Sequence, residues 1–264
     1  MTNVEAGHAL SIDTSQVSAA RLYDYLLGGK DNYEIDRQAA ERLLEVAPYM
    51  RDLAQANRGF LRRAIEVIVG ERGVRQLIDI GAGIPTSPSV HELARALDDG
   101  VRVAYLDNDA VALAHNRALL STANGTMTFA HDVRDPAAIL ADVELRRLID
   151  FDRPVGLLFV AVLHFVGIDE APALVARLRD AVPVGSCLAI SAVSLDGSDP
   201  RTVAVAEAMY ENSPASLFVR SRAEVAALFA GFELTEPLAD ITQWRNPSGE
   251  PLALRALCGV GVKI

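Results

Sequence analysis

From residue 73 onward the chain keeps a regular alternation. Short β-branched runs at 77–80, 101–106, 126–130, 155–160 and 186–193 alternate with helical patterns near 88–98, 110–121, 136–148, 170–181 and 200–212. Parallel neighbours need a crossover connection and a helix is the usual one, so this rhythm predicts a parallel sheet with helices on both faces. Two further strands are expected near 232–236 and 254–262, after a helix that Ser221 caps with Glu224 three residues on. The last two of these seven strands are joined by a hairpin-like connection instead of a helix.

The N-terminal part reads differently. Residues 1–15 are polar and aperiodic. Leu22, Tyr25 and Leu26, then Ile35, Ala39 and Leu43, recur at helical spacing and predict two amphipathic helices broken by Gly28-Gly29. Pro48 ends the second, and Leu53, Phe60, Leu61, Ile65 and Ile68 mark a third that stops near Gly70. The expected division is a helical subdomain over 1–72 and an α/β domain over 73–264.

Half the residues are apolar, enough for a sizeable core, and 25 basic against 35 acidic residues leave a net charge of -10. That balance disfavours nucleic-acid backbones and anionic membranes as partners. Cys187 and Cys258 lie in apolar runs and are expected to be buried and reduced. The run from Val155 to Val166 is too short for a membrane span of about 20 residues. The first eighteen residues show no secretory pattern, so a cytoplasmic location is expected. His8, His91, His115 and His131 have no metal-ligand spacing, and no metal site is expected.

Chemistry concentrates in Leu77-Ile78-Asp79-Ile80-Gly81-Ala82-Gly83-Ile84-Pro85-Thr86, a strand that runs into a glycine turn and a helix start. The next strand stops at Asp107-Asn108-Asp109. Adjacent parallel strands end side by side, so the turn and the acid face one crevice. Gly81 and Gly83 let the backbone bend and a ligand approach, and the Asp107 carboxylate can accept both hydroxyls of a ribose. Ser87 is read as the cap of the following helix and Pro88 as its first residue, turning a positive helix end toward the crevice. Asp109 is read as the cap of the helix containing Leu113.

A dinucleotide fingerprint would place a third glycine where Thr86 stands. With Asp79 two residues ahead of Gly81, the pattern instead resembles the D-x-G-x-G motif of class I S-adenosylmethionine (SAM) dependent methyltransferases, whose turn cradles the amino-acid part of the cofactor. By this resemblance the sheet is Rossmann-like and doubly wound, with the last strand antiparallel. Asp132 beside Val133 resembles the acid that accepts from the adenine amino group, and Asn108 would lie along the adenine edge. Phe159-Val160-Ala161-Val162-Leu163-His164-Phe165 resembles the stretch that closes over the sulfonium. His164 is a candidate base there, and a histidine that only packs is the alternative.

Ala20-Arg21-Leu22-Tyr23-Asp24-Tyr25-Leu26-Leu27-Gly28-Gly29-Lys30-Asp31-Asn32-Tyr33 is dense in tyrosine, glycine and amides. Together with Asn57-Arg58-Gly59-Phe60-Leu61-Arg62-Arg63 and the two strand ends, it resembles an actinobacterial family of SAM-dependent methyltransferases once classed as a domain of unknown function, over residues 17–262. One departure is Ala110, where a proline commonly follows the acid loop. The resemblance implies a SAM-binding core with an N-terminal helical lid, S-adenosylhomocysteine as product, and a small-molecule acceptor methylated on a hydroxyl, amine or carboxyl. It also implies that Tyr23, Tyr25, Gly28, Gly29 and Asn32 line the mouth, the two tyrosines positioning the acceptor, and that Arg58 pairs with the SAM carboxylate. Ala82, Pro85, Thr86, Val133, Ala161 and Leu163 would complete the cofactor contacts. The rival readings are an NAD-dependent oxidoreductase and a module that senses SAM or its product without turnover.

Overall fold

The computed structural model describes residues 15–120, 124–210 and 216–264. The expectations for residues 1–14, His8 among them, and for the helix ends at 121 and 211–212 lie outside these. Five strands run parallel: β1 (Gln76–Ile80), β2 (Arg102–Asp107), β3 (Thr126–Ala130), β4 (Gly156–Val160) and β5 (Cys187–Ser194). β6 (Phe232–Leu234), β7 (Ala239–Asp240) and β8 (Arg255–Lys263) complete the sheet. Its order is β3-β2-β1-β4-β5-β8-β6, and β8 runs antiparallel to β5. The sheet therefore has eight strands where the apolar runs predict seven. The extra one, β7, is two residues that pair with β8 beside β6, too short to leave a periodic signature.

Side chains alternate across each strand and fill two cores. Leu77, Val103 and Leu158 face one side, and Ile78, Ile80, Ala104 and Phe159 the other. Cys187 and Cys258 are buried on β5 and β8, opposite Val262 and Ser191 and not opposite each other.

Three helices precede the sheet: α1 (Ala19–Leu26), α2 (Glu34–Val46) and α3 (Met50–Ile65), the last running into a π-helical turn at Glu66–Glu71. Leu22, Leu26, Ala40 and Leu43 form a small cluster of their own with Ala54 of α3. The later turns of α3 pack into the main core against the sheet through Phe60, Leu61, Ala64 and Ile65. Phe60 meets the buried Trp244 edge-on at 5.3 Å, and Arg63 donates to the Ile241 carbonyl at 2.9 Å, tying α3 to the C-terminal segment. α1 and α2 are held to each other by Arg21 and Asp36, a buried ion pair at 2.7 Å.

The remaining helices are α4 (Val90–Arg95), α5 (Ala110–Leu120), α6 (Pro136–Ala141), α7 (Val143–Leu148), α8 (Ala171–Asp180), α9 (Pro200–Tyr210) and α10 (Arg222–Ala227). The pattern read as one helix over 136–148 is two, because Asp142 caps a new start by accepting from Glu144 and Leu145 N–H groups. Ser221 and Glu224 form the expected capping box of α10. No helix among the described residues is long and apolar enough to cross a membrane.

Candidate functional site

The strand order reverses at β1, which has β2 on one side and β4 on the other, and a crevice opens at such a point beyond the C-terminal strand ends. The glycine turn is strapped to the end of β2. Gly81 and Ala82 N–H groups both donate to the Leu106 carbonyl at 2.9 and 3.0 Å, and Gly83 N–H donates to Asp107 Oδ2 at 2.7 Å. The other carboxylate oxygen accepts from Asp109 N–H at 2.8 Å. Burial pushes the Asp107 carboxyl up from its ordinary range, and these N–H groups pull it back. Each oxygen still has acceptor capacity for a hydroxyl.

Both glycines adopt left-handed backbone, φ +71 at Gly81 and +63 at Gly83. A Cβ on Gly83 would meet nothing within 4 Å, so its open side faces a space that a ligand can enter. Asp79, near the end of β1, is 8 % exposed, and burial lifts its carboxyl to about 7. Arg58 draws it down and Asp107 pushes it up. Among the described residues no hydrogen bond reaches this carboxylate. An acid kept without a donor beside an open glycine turn suits a cationic ligand group.

A cavity of about 790 Å³ surrounds these groups, between the sheet edge and the helices α1 and α3. The structure places Asp79, Gly81, Ala82, Gly83, Thr86, Asp107, Asn108, Asp132, Val133, Ala161, His164, Tyr23 and Arg58 on its wall. Asn108 Nδ2 donates to Asp132 Oδ2 at 3.2 Å, and Arg134 grips both Asp132 oxygens, holding that carboxyl below its usual range.

Six expected residues lie elsewhere. Gly28, Gly29 and Asn32 build a turn around Asp24, whose Oδ2 accepts from Asp31 N–H at 3.0 Å and Asn32 Nδ2 at 2.8 Å. A Cβ on Gly29 would stand 2.0 Å from Asp24 Oδ1, so only glycine leaves room for that carboxylate here. Tyr25 donates to Glu41 and stacks with Arg51, away from the cavity. Leu163 is buried in the core, and Pro85 sits between the wall residues Ile84 and Thr86 without reaching the cavity.

Ser87 and Pro88 do not start the helix either. Ser89 caps α4 with Glu92, whose carboxylate accepts from Ser89 N–H at 2.6 Å. The helix end thus falls outside the cavity, and the guanidinium of Arg58 donates to the carbonyls of Thr86 and Pro88 in its place. Asp109 caps α5 as expected, accepting from Val111 and Ala112 N–H groups, and also accepts from Ser18 Oγ at 2.6 Å.

Tyr23 offers only its ring. Its hydroxyl donates to the Ala54 carbonyl at 3.1 Å and accepts from Asn57 Nδ2 at 2.9 Å, and burial raises its pKa. Asn57 is a wall residue to which the sequence pattern assigns no role. Its Oδ1 accepts from Ser191 Oγ at 2.6 Å, and Ser191 Oγ in turn accepts from Ala161 N–H at 2.9 Å. The chain of bonds runs from α1 to Ala161, a non-glycine residue at φ +60 just after β4.

His164 is buried, and burial, reinforced by the Arg220 charge, lowers its pKa to about 3. Its Nδ1 has no hydrogen-bond partner among the described residues. In this setting the ring is neutral at working pH. Arg220, buried and equally invisible in sequence, donates to the carbonyls of Leu163 at 2.7 Å and Val166 at 2.6 Å and so fixes the loop that carries His164. Among the described residues no His, Cys, Asp and Glu cluster could hold a metal ion.

The profile of the S-adenosyl methyltransferase family matches residues 5–263. A solved protein from Thermobifida fusca YX, assigned as a methyltransferase, is 36% identical with a TM-score of 0.88, over 95% of this chain and 96% of its own. A DUF574 family protein from Streptomyces avermitilis MA-4680 is 35% identical with a TM-score of 0.90, over 96% and 100%. The Burkholderia thailandensis 1,6-didemethyltoxoflavin-N1-methyltransferase, solved with S-adenosylhomocysteine, shares the fold at a TM-score of 0.52 and 16% identity, over 99% and 98%. No curated protein matches the chain. A glycine turn strapped to Asp107, the buried acid Asp79 and this kinship agree, and the chain belongs to the S-adenosyl methyltransferase family, as a SAM-dependent enzyme of the class I fold.

Proposed function

We propose that the enzyme methylates a small molecule on a hydroxyl, amine or carboxyl, with residues 1–72 acting as a lid on the 73–264 core. The size of the cavity and its position beside the glycine turn carry this reading. The cavity is within the range of about 300 to 1,000 Å³ typical of small-molecule sites, and residues of helices α1 and α3 line it on the side away from the sheet. A net charge of -10 opposes nucleic acid as the acceptor.

SAM supplies an electrophilic methyl group when bound. Asp107 takes the ribose hydroxyls, Asp79 the ammonium, Arg58 the carboxylate, and Asn108 with Asp132 the adenine edge. The Tyr23 ring presents its electron-rich face to positive charge. His164, neutral and held by its loop, orients the acceptor, whose proton passes to water once the site opens to release the methylated product. Little else is required, because methyl transfer depends mainly on alignment and on excluding water.

Tritiated SAM incubated with the enzyme and an extract of its source cells is expected to label a low-mass organic fraction. Label in protein or nucleic acid would overturn the small-molecule reading. Tight SAM binding with no labelled product at all would favour the sensor, and calorimetric binding of NAD in place of SAM would favour the oxidoreductase.

A further inference from the structure

A second recess, of about 450 Å³, lies at the opposite edge of the sheet, where β1 and β2 begin and the chain approaches β4. Its wall contains Arg72, Arg75, Arg102 and Arg153 and no carboxylate, in a chain with ten more acids than bases. Gln76 organises it from beneath and is 2 % exposed. Its Nε2 donates to the carbonyls of Asp150 at 2.7 Å and Arg153 at 3.1 Å, and its Oε1 accepts from Arg102 Nη2 at 2.7 Å and Asp150 N–H at 3.0 Å. One buried amide, its donors and acceptors filled, thus fixes the Arg102 guanidinium and the turn that carries Arg153.

The cations are only partly compensated. Arg75 pairs with Asp98 at 2.7 Å. Among the described residues, the side chains of Arg72 and Arg153 make no hydrogen bond or ion pair. Guanidinium groups match phosphate oxygens in charge and in fork geometry, and four of them around one hollow outnumber what a single carboxylate neutralises. None of these groups serves the methyl-transfer site, which sits at the other ends of the same strands.

We infer that this recess binds a small anion carrying two or more phosphate groups. The acids that adjoin it in sequence, Glu71, Asp98, Asp99 and Asp152, would repel an extended polyanion such as RNA, and the concave shape suits a compact one.

Calorimetry on the full chain tests this with inorganic pyrophosphate, tripolyphosphate and orthophosphate at about 150 mM salt, where weak surface pairing is screened. Pyrophosphate or tripolyphosphate should fill one saturable site with equal affinity in the presence and absence of S-adenosylhomocysteine. Orthophosphate should bind at least about tenfold more weakly, and so should pyrophosphate to the double variant Arg72→Gln/Arg153→Gln, whose melting temperature and SAM affinity stay as in the parent. The inference fails if no saturable site exists, if S-adenosylhomocysteine displaces the anion, if the double variant binds equally well, or if only a long polyanion binds. Orthophosphate binding as tight as pyrophosphate would refute the requirement for linked phosphates.

Discussion

Asp79→Asn is expected to make the ligand-free enzyme more stable at pH 8 and to abolish its grip on SAM. An ordinary aspartate ionises near 3.8, and burial lifts Asp79 to about 7. Between those values the folded chain keeps a proton that the unfolded chain has released, so native stability falls as pH rises from 3.8 and the loss is complete above 7. A difference of that size is worth about 4 kcal/mol. Asparagine carries no such penalty. The variant should therefore melt several degrees higher at pH 8, at about 2 to 4 °C per kcal/mol, and no higher near pH 4. SAM should raise the melting temperature of the parent and not of the variant. In the parent, SAM affinity should drop about tenfold for each pH step below about 7, because only the ionised acid pairs with an ammonium. Equal melting at pH 8 would show that burial does not hold the Asp79 carboxyl up, and retained affinity in the variant would remove Asp79 from the cofactor site.

The second large effect is expected at the turn. A Cβ on Gly81 would lie 2.4 Å from Val162 Cγ2 and 2.8 Å from Val162 Cβ, and the backbone there is left-handed. Gly81→Ala thus combines about 1 to 2 kcal/mol of backbone strain with about 1 to 3 kcal/mol of overpacking. Relief by displacing the turn would disturb the bonds to Leu106 and Asp107, and a misplacement of about 1 Å there costs about a hundredfold in rate. Gly83→Ala has free space and only the backbone cost, so its stability loss should be the smaller. Adding Val162→Ala to Gly81→Ala should recover part of the lost stability. Chemical denaturation of the four proteins decides the matter: equal losses at the two glycines, or no recovery in the double variant, would show that the overlap with Val162 is not what matters.

Much of this architecture is legible in the order of amino acids alone. The strand runs at 77–80, 101–106 and 126–130 match β1 to β3 because glycine and aspartate punctuate apolar stretches of strand length. Local chemistry also signals the Gly81 turn and the caps Asp109 and Ser221. Legibility fails where local cues compete. Ser87-Pro88 reads as the helix start, but in the folded chain the start falls at Ser89, where Glu92 bonds both the backbone N–H and the hydroxyl of Ser89. Gly28-Gly29 reads as a ligand mouth, yet it accommodates Asp24, whose role emerges only when the turn closes. The Asn57–Ser191 bond spans 134 residues of chain, and Arg220 reaches Leu163 across 57. Pairings that distant leave no local pattern, so the groups that rigidify the loop after β4 become visible only in the folded chain.

The two cysteines offer a practical consequence. Burial pushes the Cys187 thiol up to about 12 and that of Cys258 well above its ordinary range, so neither reacts as a thiolate while the sheet is intact. Alkylation then has to wait for the strands to part, and its rate clocks that opening. Any compound that binds only the native form delays the clock in proportion to its occupancy. Candidate acceptors can be ranked by that delay before a single turnover has been observed.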